Sequence, residues 1–140
     1  MPTPAIELPR ALVNQILHHV QATPQQEACG LIGGKVGQPR SCHPVANIAA
    51  TPDIRFRLDP KGQIDALRQI RESGEELFAI FHSHPAAPAE PSAHDLAEAA
   101  YPDALYLIIS LNTKGVLEMR GFRISAEHSV EEVVLLLKAE

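Results

Sequence analysis

Leu77-Phe78-Ala79-Ile80-Phe81-His82-Ser83-His84-Pro85 is a nearly continuous apolar run that ends in two histidines and a proline. An apolar run of this kind, without polar alternation, predicts a strand in a sheet that is covered on both faces. Such a sheet needs covering helices, and amphipathic segments precede and follow the run. The stretch therefore predicts an α/β fold, with polar groups at the carboxyl end of a buried strand, where sites in such folds tend to open.

The composition is that of an ordinary soluble protein. The 140 residues predict a single domain, residues 1–140, which is large enough to bury a core without disulfides. Hydrophobic residues make up 45% of the chain and charged residues 21%, which is typical of globular proteins. The formal net charge of -5 and the scattered basic residues argue against a general nucleic-acid surface.

The sequence gives no indication of export or of membrane insertion. Met1-Pro2-Thr3-Pro4 lacks the basic flank and the apolar core of a signal peptide. The longest apolar run, residues 104–111, is too short to span a bilayer and fits a buried strand. Two cysteines, Cys29 and Cys42, are too few for a disulfide framework, so a cytoplasmic protein with free thiols is expected.

Apolar periodicity predicts helices and strands along the whole chain. Helices are expected at residues 9–20, 60–73 and 92–100. Strands are expected at residues 27–34, 40–47, 54–58, 77–84, 104–111 and 116–124, with a turn at 112–115. The ending, residues 130–137, is ambiguous between helix and strand, and its β-branched residues favour a strand. Hairpins between neighbouring strands predict a single-domain, mixed α/β fold with a mainly antiparallel sheet flanked by helices.

Two histidines, a serine and an aspartate form a metal-binding pattern at the end of the apolar run. On a strand, His82 and His84 point to the same face, and Ser83 between them points to the other, where a structural role is expected. On the following helix Ser92 is a good N-cap, with Asp95 at the capping-box position on the same face. Two histidines, one carboxylate and an open fourth position are typical of catalytic zinc, whereas structural zinc is closed by four side chains.

A catalytic zinc site also needs a group that moves protons. Glu27 is the best candidate because it opens a short apolar, glycine-rich strand, which is an unusual place for a solvated carboxylate. Taken singly, these residues have ordinary interpretations: Ser92 as a helix cap, Asp95 as a solvated first-turn acid and Glu27 as a surface strand end. Their combination at this spacing makes the pattern specific.

The same residues resemble the motif of the JAMM (MPN-plus) zinc metallopeptidases in their small prokaryotic form. The family pattern is an upstream Glu, then H-[ST]-H-P, then Ser after seven residues counted from the second histidine, and Asp after two more. Glu27, His82-Ser83-His84-Pro85, Ser92 and Asp95 match this pattern without a departure. The resemblance covers most of the chain and implies the MPN fold, which is similar to that of cytidine deaminases.

The resemblance implies a role for each matching residue. His82, His84 and Asp95 would ligate one catalytic zinc ion. Glu27 would deprotonate the zinc-bound water and pass the proton to the leaving amine. Ser92 would donate a hydrogen bond to the oxyanion, a contribution of about 3–4 kcal/mol in enzymes where one such donor has been removed.

The resemblance also implies a class of substrate. The chain has little room for the insertions that grip ubiquitin in eukaryotic deubiquitinases, so it is similar to members that cut after the Gly-Gly tail of sulfur carriers. We therefore expect hydrolysis of a peptide or isopeptide bond at such a tail, with a ubiquitin-like or sulfur-carrier protein as partner. An extended tail could add to a sheet edge beside residues 54–58. The oligomeric state stays open.

Two other interpretations stay open. Cys29 could be a nucleophile with His82 or His84 as its base, although a buried apolar cysteine is far commoner. A non-catalytic scaffold of the same MPN-type fold would act only in protein interaction, but such scaffolds usually lack the ligands that this chain retains. A zinc deaminase is disfavoured because the H-x-E and P-C-x-x-C signature is absent from the sequence.

Overall fold

The structure, a computed structural model, describes residues 4–112 and 118–138. Its helices are α1 (Arg10–Ala22), α2 (Pro60–Glu72) and α3 (Ala93–Glu98). Its strands are β1 (Ile6–Pro9), β2 (Cys29–Lys35), β3 (Gln38–Val45), β4 (Glu76–His84), β5 (Leu105–Ser110), β6 (Glu118–Ile124), β7 (Val130–Val133) and β8 (Leu135–Lys138). Within these described residues no helix is both long enough and apolar enough to cross a membrane.

The sheet that contains the two histidines has six strands in the order β3-β2-β4-β5-β6-β7. Every neighbouring pair is antiparallel except β4 and β5, which are parallel. β4 is one of the two central strands, and its residues from Ala79 to His84 are buried. The predicted α/β class and mainly antiparallel sheet are confirmed, and both histidines lie at the carboxyl end of a central strand.

Helices cover this sheet on both faces, as the apolar run predicts. On one face, Leu12 and Ile16 of α1 share a core cluster with Phe81 of β4. On the other face, Ile70 of α2 shares a second cluster with Ile80. Each fully buried side chain of this size contributes about 1.5–3 kcal/mol, so burial holds β4 between the two layers. Because alternate residues of a strand point to opposite faces, the histidines lie on the same face as Ile80.

Most predicted elements are present, with bounds that differ by at most two residues. The predicted hairpins are confirmed as the antiparallel pairs β2–β3 and β5–β6. α2 begins at Pro60 because the Asp59 carboxylate caps it, accepting from the Gly62 amide at 3.3 Å. The predicted turn at 112–115 and the start of the strand at 116–124 fall largely on residues 113–117, which lie outside the described residues.

The strand predicted at residues 54–58 is wrong. Within the described chain this segment is irregular, apart from an isolated bridge between Leu58 and Asn47. Some of its backbone groups are bonded to a side chain and not to a strand. Asn47 accepts from the Arg57 amide at 2.9 Å and donates to the Arg55 carbonyl at 3.0 Å. A substrate tail is consequently not expected to extend a strand at this place.

A second sheet, of two strands, is not predicted by the sequence. β1 pairs in parallel with β8, with Ile6 opposite Leu135. The ambiguous ending at residues 130–137 is confirmed as strand, but it divides into β7 on the main sheet and β8 on β1. Four-residue strands are too short to establish a period, and β1 finds its partner at the opposite end of the chain.

Candidate metal centre

One strand and one short helix bring the three predicted ligands together. His82 and His84 end β4, and Asp95 lies in the first turn of α3. Asp95 Oδ2 is 3.0 Å from His82 Nε2 and 3.1 Å from His84 Nε2, and the two Nε2 atoms are 3.1 Å apart. Each histidine is 1% exposed and Asp95 is 9% exposed. The three side chains therefore form a buried triangle of potential ligand atoms.

Two hydrogen bonds orient the His84 ring within this triangle. The Pro88 carbonyl oxygen lies 2.8 Å from His84 Nδ1 and can only accept, so this nitrogen carries a proton. Burial tends to lower the pKa of the His84 imidazole, but its hydrogen bonds with Asp95 and the Pro88 carbonyl raise that pKa overall, and the protonated ring can donate from Nε2 to the Asp95 carboxylate. A metal ion bound at Nε2 would take the place of this proton beside the carboxylate. A backbone carbonyl behind the other ring nitrogen is also the usual partner of a metal-ligating histidine.

The distances and charges agree with a small divalent metal. Ligand atoms bound at about 2.0–2.1 Å in a tetrahedron are about 3.3 Å apart, close to the 3.0–3.1 Å separations found here. Burial tends to raise the pKa of the Asp95 carboxyl, but its contacts with His82 and His84 hold that pKa well below the ordinary value. Burial lowers the pKa of His82. A carboxylate and a neutral imidazole are the forms that bind metal.

Ser92 positions Asp95 through a reciprocal pair of hydrogen bonds at the start of α3. The Asp95 amide donates to Ser92 Oγ at 3.1 Å, and the Ser92 amide donates to Asp95 Oδ2 at 2.8 Å. This is the capping box that the spacing predicts, and it fixes the carboxylate that faces the histidines. Ser92 Oγ accepts from an amide, and its own hydrogen finds no acceptor among the described residues. The hydroxyl is therefore able to donate to a ligand.

Glu27 is buried beside the triangle, two residues before β2. It is 4% exposed, and one of its carboxylate oxygens joins the three other ligand atoms in a group whose members all lie within 4.8 Å of one another. Its Oε1 atom has no hydrogen-bond partner among the described residues. Burial raises the pKa of the Glu27 carboxyl to about 7, an effect that His84 opposes and Asp95 reinforces. A carboxyl that titrates near neutrality is suited to general acid–base catalysis.

Four hydrogen bonds hold the backbone around Glu27. Its amide donates to the Pro52 carbonyl at 2.7 Å, and its carbonyl accepts from Asn47 Nδ2 at 2.8 Å. The next residue, Ala28, donates its amide hydrogen to Ser83 Oγ and accepts from the Ser83 amide, both at 2.9 Å. Ser83, for which the sequence predicts a structural role, thus ties the Glu27 segment to the strand of the histidines.

Two residues of this site, Asn47 and Phe56, are not predicted by the sequence patterns. The Phe56 ring stacks on the His82 ring, with 4.3 Å between centroids and 22° between planes. Asn47 bonds both the Glu27 segment and the segment that contains Phe56. The alternation of apolar and basic residues places Phe56 in a predicted strand, and Asn47 is the last residue of another predicted strand. A polar amide directly after the apolar pair Val45-Ala46 is the one signal that could have pointed to Asn47.

Cys29 lies in an environment that opposes a thiol nucleophile. Both cysteines are free, and Cys29 is fully buried with its Sγ donating to the Val45 carbonyl at 3.4 Å. Burial raises the pKa of the Cys29 thiol to about 12, and the nearby Glu27 carboxylate adds to the rise. The thiolate is the nucleophilic form, so the structure argues against the Cys29 hydrolase.

Comparison with known proteins identifies the family. The model of the prokaryotic homologs of the JAB domain matches residues 9–124. A desampylase of Haloferax volcanii is 34% identical over 103 residues, which are 69% of this chain and 74% of that protein. A CysO-cysteine peptidase of Mycobacterium tuberculosis is 34% identical over 125 residues, 88% of this chain and 85% of that protein. A Desulfitobacterium hafniense protein of known solution structure has a TM-score of 0.85 at 34% identity, covering 96% of this chain and 94% of that one. The chain belongs to the prokaryotic JAB family, which confirms the resemblance to small prokaryotic JAMM proteins.

Proposed function

We propose that this member of the prokaryotic JAB family, with residues 1–140 as one domain, is a zinc-dependent peptidase. Its reaction is hydrolysis of the bond after the C-terminal Gly-Gly tail of a ubiquitin-like sulfur-carrier protein. The observation that carries the proposal is the buried Glu27 carboxylate, unpartnered at Oε1, next to the triangle of His82, His84 and Asp95. Three ligand side chains with a proton acceptor beside them are typical of a hydrolytic metal site.

His82, His84 and Asp95 would hold the zinc ion. Two imidazoles and one carboxylate suit zinc and leave one position open. When bound, zinc polarises a carbonyl and lowers the pKa of water toward neutrality. The Pro88 carbonyl and the Ser92 amide orient two of the ligands, His84 and Asp95 respectively, before any ion arrives.

The proton transfers belong to Glu27. Its carboxylate takes a proton from the attacking water as the water oxygen bonds to the scissile carbonyl carbon. The same proton then goes to the leaving nitrogen as the carbon–nitrogen bond breaks, which yields a free amine and a carboxylic acid that then ionises to the carboxylate. The Ser92 hydroxyl donates to the oxyanion that forms between these two steps, and removal of one such donor lowers turnover by about 10²–10³.

The names of the relatives support the substrate class. One relative is named as a peptidase for CysO-cysteine and another as a desampylase, so both are named for cleavage of a conjugate. A groove of about 500 Å³, lined in part by Phe56, Leu58 and Tyr101, would receive the tail. The Phe56 ring, which lines this groove, also stacks on the His82 ring. Glycines suit such an approach because they have no side chain to keep the backbone away.

Metal analysis and one substitution test this proposal together. Protein purified without chelator should contain one zinc per chain, and a carrier with a peptide fused after its Gly-Gly end should be cleaved. A chelator should abolish the cleavage, and added zinc should restore it. Glu27→Gln should keep the zinc and lower turnover by about 10²–10⁴, because an amide cannot accept the proton.

Glu76→Gln is the matched control, since Glu76 is exposed at the opposite end of β4 and should keep wild-type turnover. A protein that binds no zinc would refute the proposal. Wild-type turnover in Glu27→Gln would remove Glu27 from the mechanism. Binding of the carrier without any cleavage would favour the non-catalytic scaffold.

A further inference from the structure

Arg55 lies beside the metal centre, and among the described residues it has no acidic partner. Arg120, by contrast, is paired with Glu90 at 3.3 Å and with Glu132 at 2.5 Å. The ion pairs of the described residues do not include Arg55. Its Nη2 atom instead lies 2.6 Å from His94 Nδ1, which is the acceptor because a guanidinium only donates. The charge of Arg55 is therefore not balanced by this contact.

Three buried side-chain atoms lack a hydrogen-bond partner among the described residues: Glu27 Oε1, His82 Nδ1 and Arg55 Nε. The first two belong to the metal centre. Buried polar atoms are rarely left unpaired in a folded protein, and an unpaired one calls for a specific explanation such as an absent ligand. The third, Arg55 Nε, is able to donate a hydrogen bond to a ligand.

The Arg55 backbone and the Arg55 guanidinium both make contacts that place this residue beside the metal centre. Asn47 Nδ2 donates to the carbonyls of Glu27 and Arg55, at 2.8 and 3.0 Å, so the two backbones run next to each other. The following residue, Phe56, stacks on the ring of a predicted metal ligand. At its far end the guanidinium reaches His94 of α3, the helix whose capping box holds the predicted carboxylate ligand. Arg55 therefore connects its own segment, which runs beside Glu27, to α3.

We propose that Arg55 binds the free α-carboxylate of the residue that is released, so that the preferred substrates carry one amino acid after the Gly-Gly tail. This inference rests on the proposed function, in which Glu27 gives a proton to the leaving amine. In a single amino acid the α-carboxylate is one carbon away from that amine, so it must lie close to Glu27, where the Arg55 segment runs. A guanidinium pairs with a carboxylate through two parallel hydrogen bonds. An isopeptide bond to a lysine Nε presents no carboxylate at this distance.

Two substrates that differ in one group test the inference. Both are the carrier with one residue after Gly-Gly, ending in a free carboxylate in one and in a carboxamide in the other. The wild type should prefer the acid by about 10- to 100-fold in kcat/KM, the range for a hydrogen bond to a charged group. In Arg55→Gln this ratio should fall to about one, and in Arg55→Lys it should be intermediate because an ammonium lacks the planar fork.

Arg71→Gln is the control, since Arg71 is an exposed arginine near the end of α2 and should keep the wild-type ratio. The ratio is informative because a general disturbance of the site lowers both activities together. Zinc content and Tm, measured for each variant, identify a protein that has simply failed to fold.

A wild type without preference for the acid, or an Arg55→Gln variant that keeps the preference, would overturn the role of Arg55. So would a lysine isopeptide conjugate that is cut faster than the acid. None of these results contradicts the proposed peptidase function. A zinc-loaded wild type that cleaves none of the substrates refutes the proposed function itself, and this inference is then refuted with it.

Discussion

Replacing Asn47 by alanine tests how Glu27, the proposed general base, is held in place. The Asn47 side chain makes four hydrogen bonds: its Nδ2 donates to Glu27 O at 2.8 Å and to Arg55 O at 3.0 Å. Its Oδ1 accepts from the amides of Ala49 and Arg57, both at 2.9 Å. Since the oxygen faces two donors and the nitrogen two acceptors, the network determines the orientation of the amide. Asn47→Ala removes all four bonds at once.

The expected loss follows from these bonds. A typical intramolecular hydrogen bond contributes about 0.5–1.5 kcal/mol net. Three of the four are partly buried, while the Arg57 amide is exposed and can turn to water. We therefore expect the free energy of unfolding to fall by about 2–4 kcal/mol, and Tm by about 6–12 °C for a chain of this size. Glu27 also loses a backbone anchor, and a displacement of about 1 Å can lower turnover by about 100-fold.

Thermal unfolding, zinc content and kcat are measured on the same preparations. Zinc content should stay at the wild-type level, because Asn47 contacts none of the three predicted ligands in the described structure. Asn47→Asp is the sharper variant, since it keeps an oxygen for Ala49 and Arg57 but turns a negative oxygen toward the carbonyls of Glu27 and Arg55. Asn14→Ala, at an exposed position of α1, is the control for losing an asparagine. An Asn47→Ala protein with lowered Tm but wild-type kcat would show that these bonds do not position the base.

Two further results are expected. Asp95→Ala should bind less than one zinc per chain, because it removes the charged member of the buried triangle, and full zinc occupancy would exclude Asp95 as a ligand. Treatment of the folded protein with iodoacetamide should leave turnover unchanged, because a thiol with a pKa of about 12 at Cys29 holds almost no thiolate at neutral pH. Cys29→Ala should likewise keep turnover, whereas inactivation by alkylation together with resistance to chelator would restore the cysteine mechanism.

The parts of the fold and site that the sequence predicts are those set by local geometry. The run that forms β4 is apolar at nearly every position, and only a strand buried on both faces needs this pattern. His82 and His84 share a face because a strand repeats every two residues, and Ser92 reaches Asp95 because a capping box spans three. None of these relations depends on a distant part of the chain.

The parts that the sequence does not predict depend on distant partners. β1 exists because β8 lies beside it, and four residues alone do not indicate that pairing. The alternation at residues 54–58 predicts a strand, but the hydrogen bonds that a strand would offer to a neighbour are partly taken by the Asn47 side chain. A side chain that takes the place of a neighbouring strand as hydrogen-bond partner leaves no periodic signal in the sequence.

The position of Glu27 depends both on local strand geometry and on partners that are distant in the sequence. Its carboxylate faces the histidines because β2 pairs with β4 in a register that sets Cys29 opposite His82, and a slip of one residue would turn the face away. The remaining constraint is Asn47, whose single Nδ2 atom serves the carbonyls of both Glu27 and Arg55. The backbones of the proposed proton acceptor and of the proposed carboxylate-binding cation are thus bonded to one amide group. If both assignments hold, Asn47→Asp must lower kcat and the preference for the acid substrate together, because neither segment can shift without releasing the other.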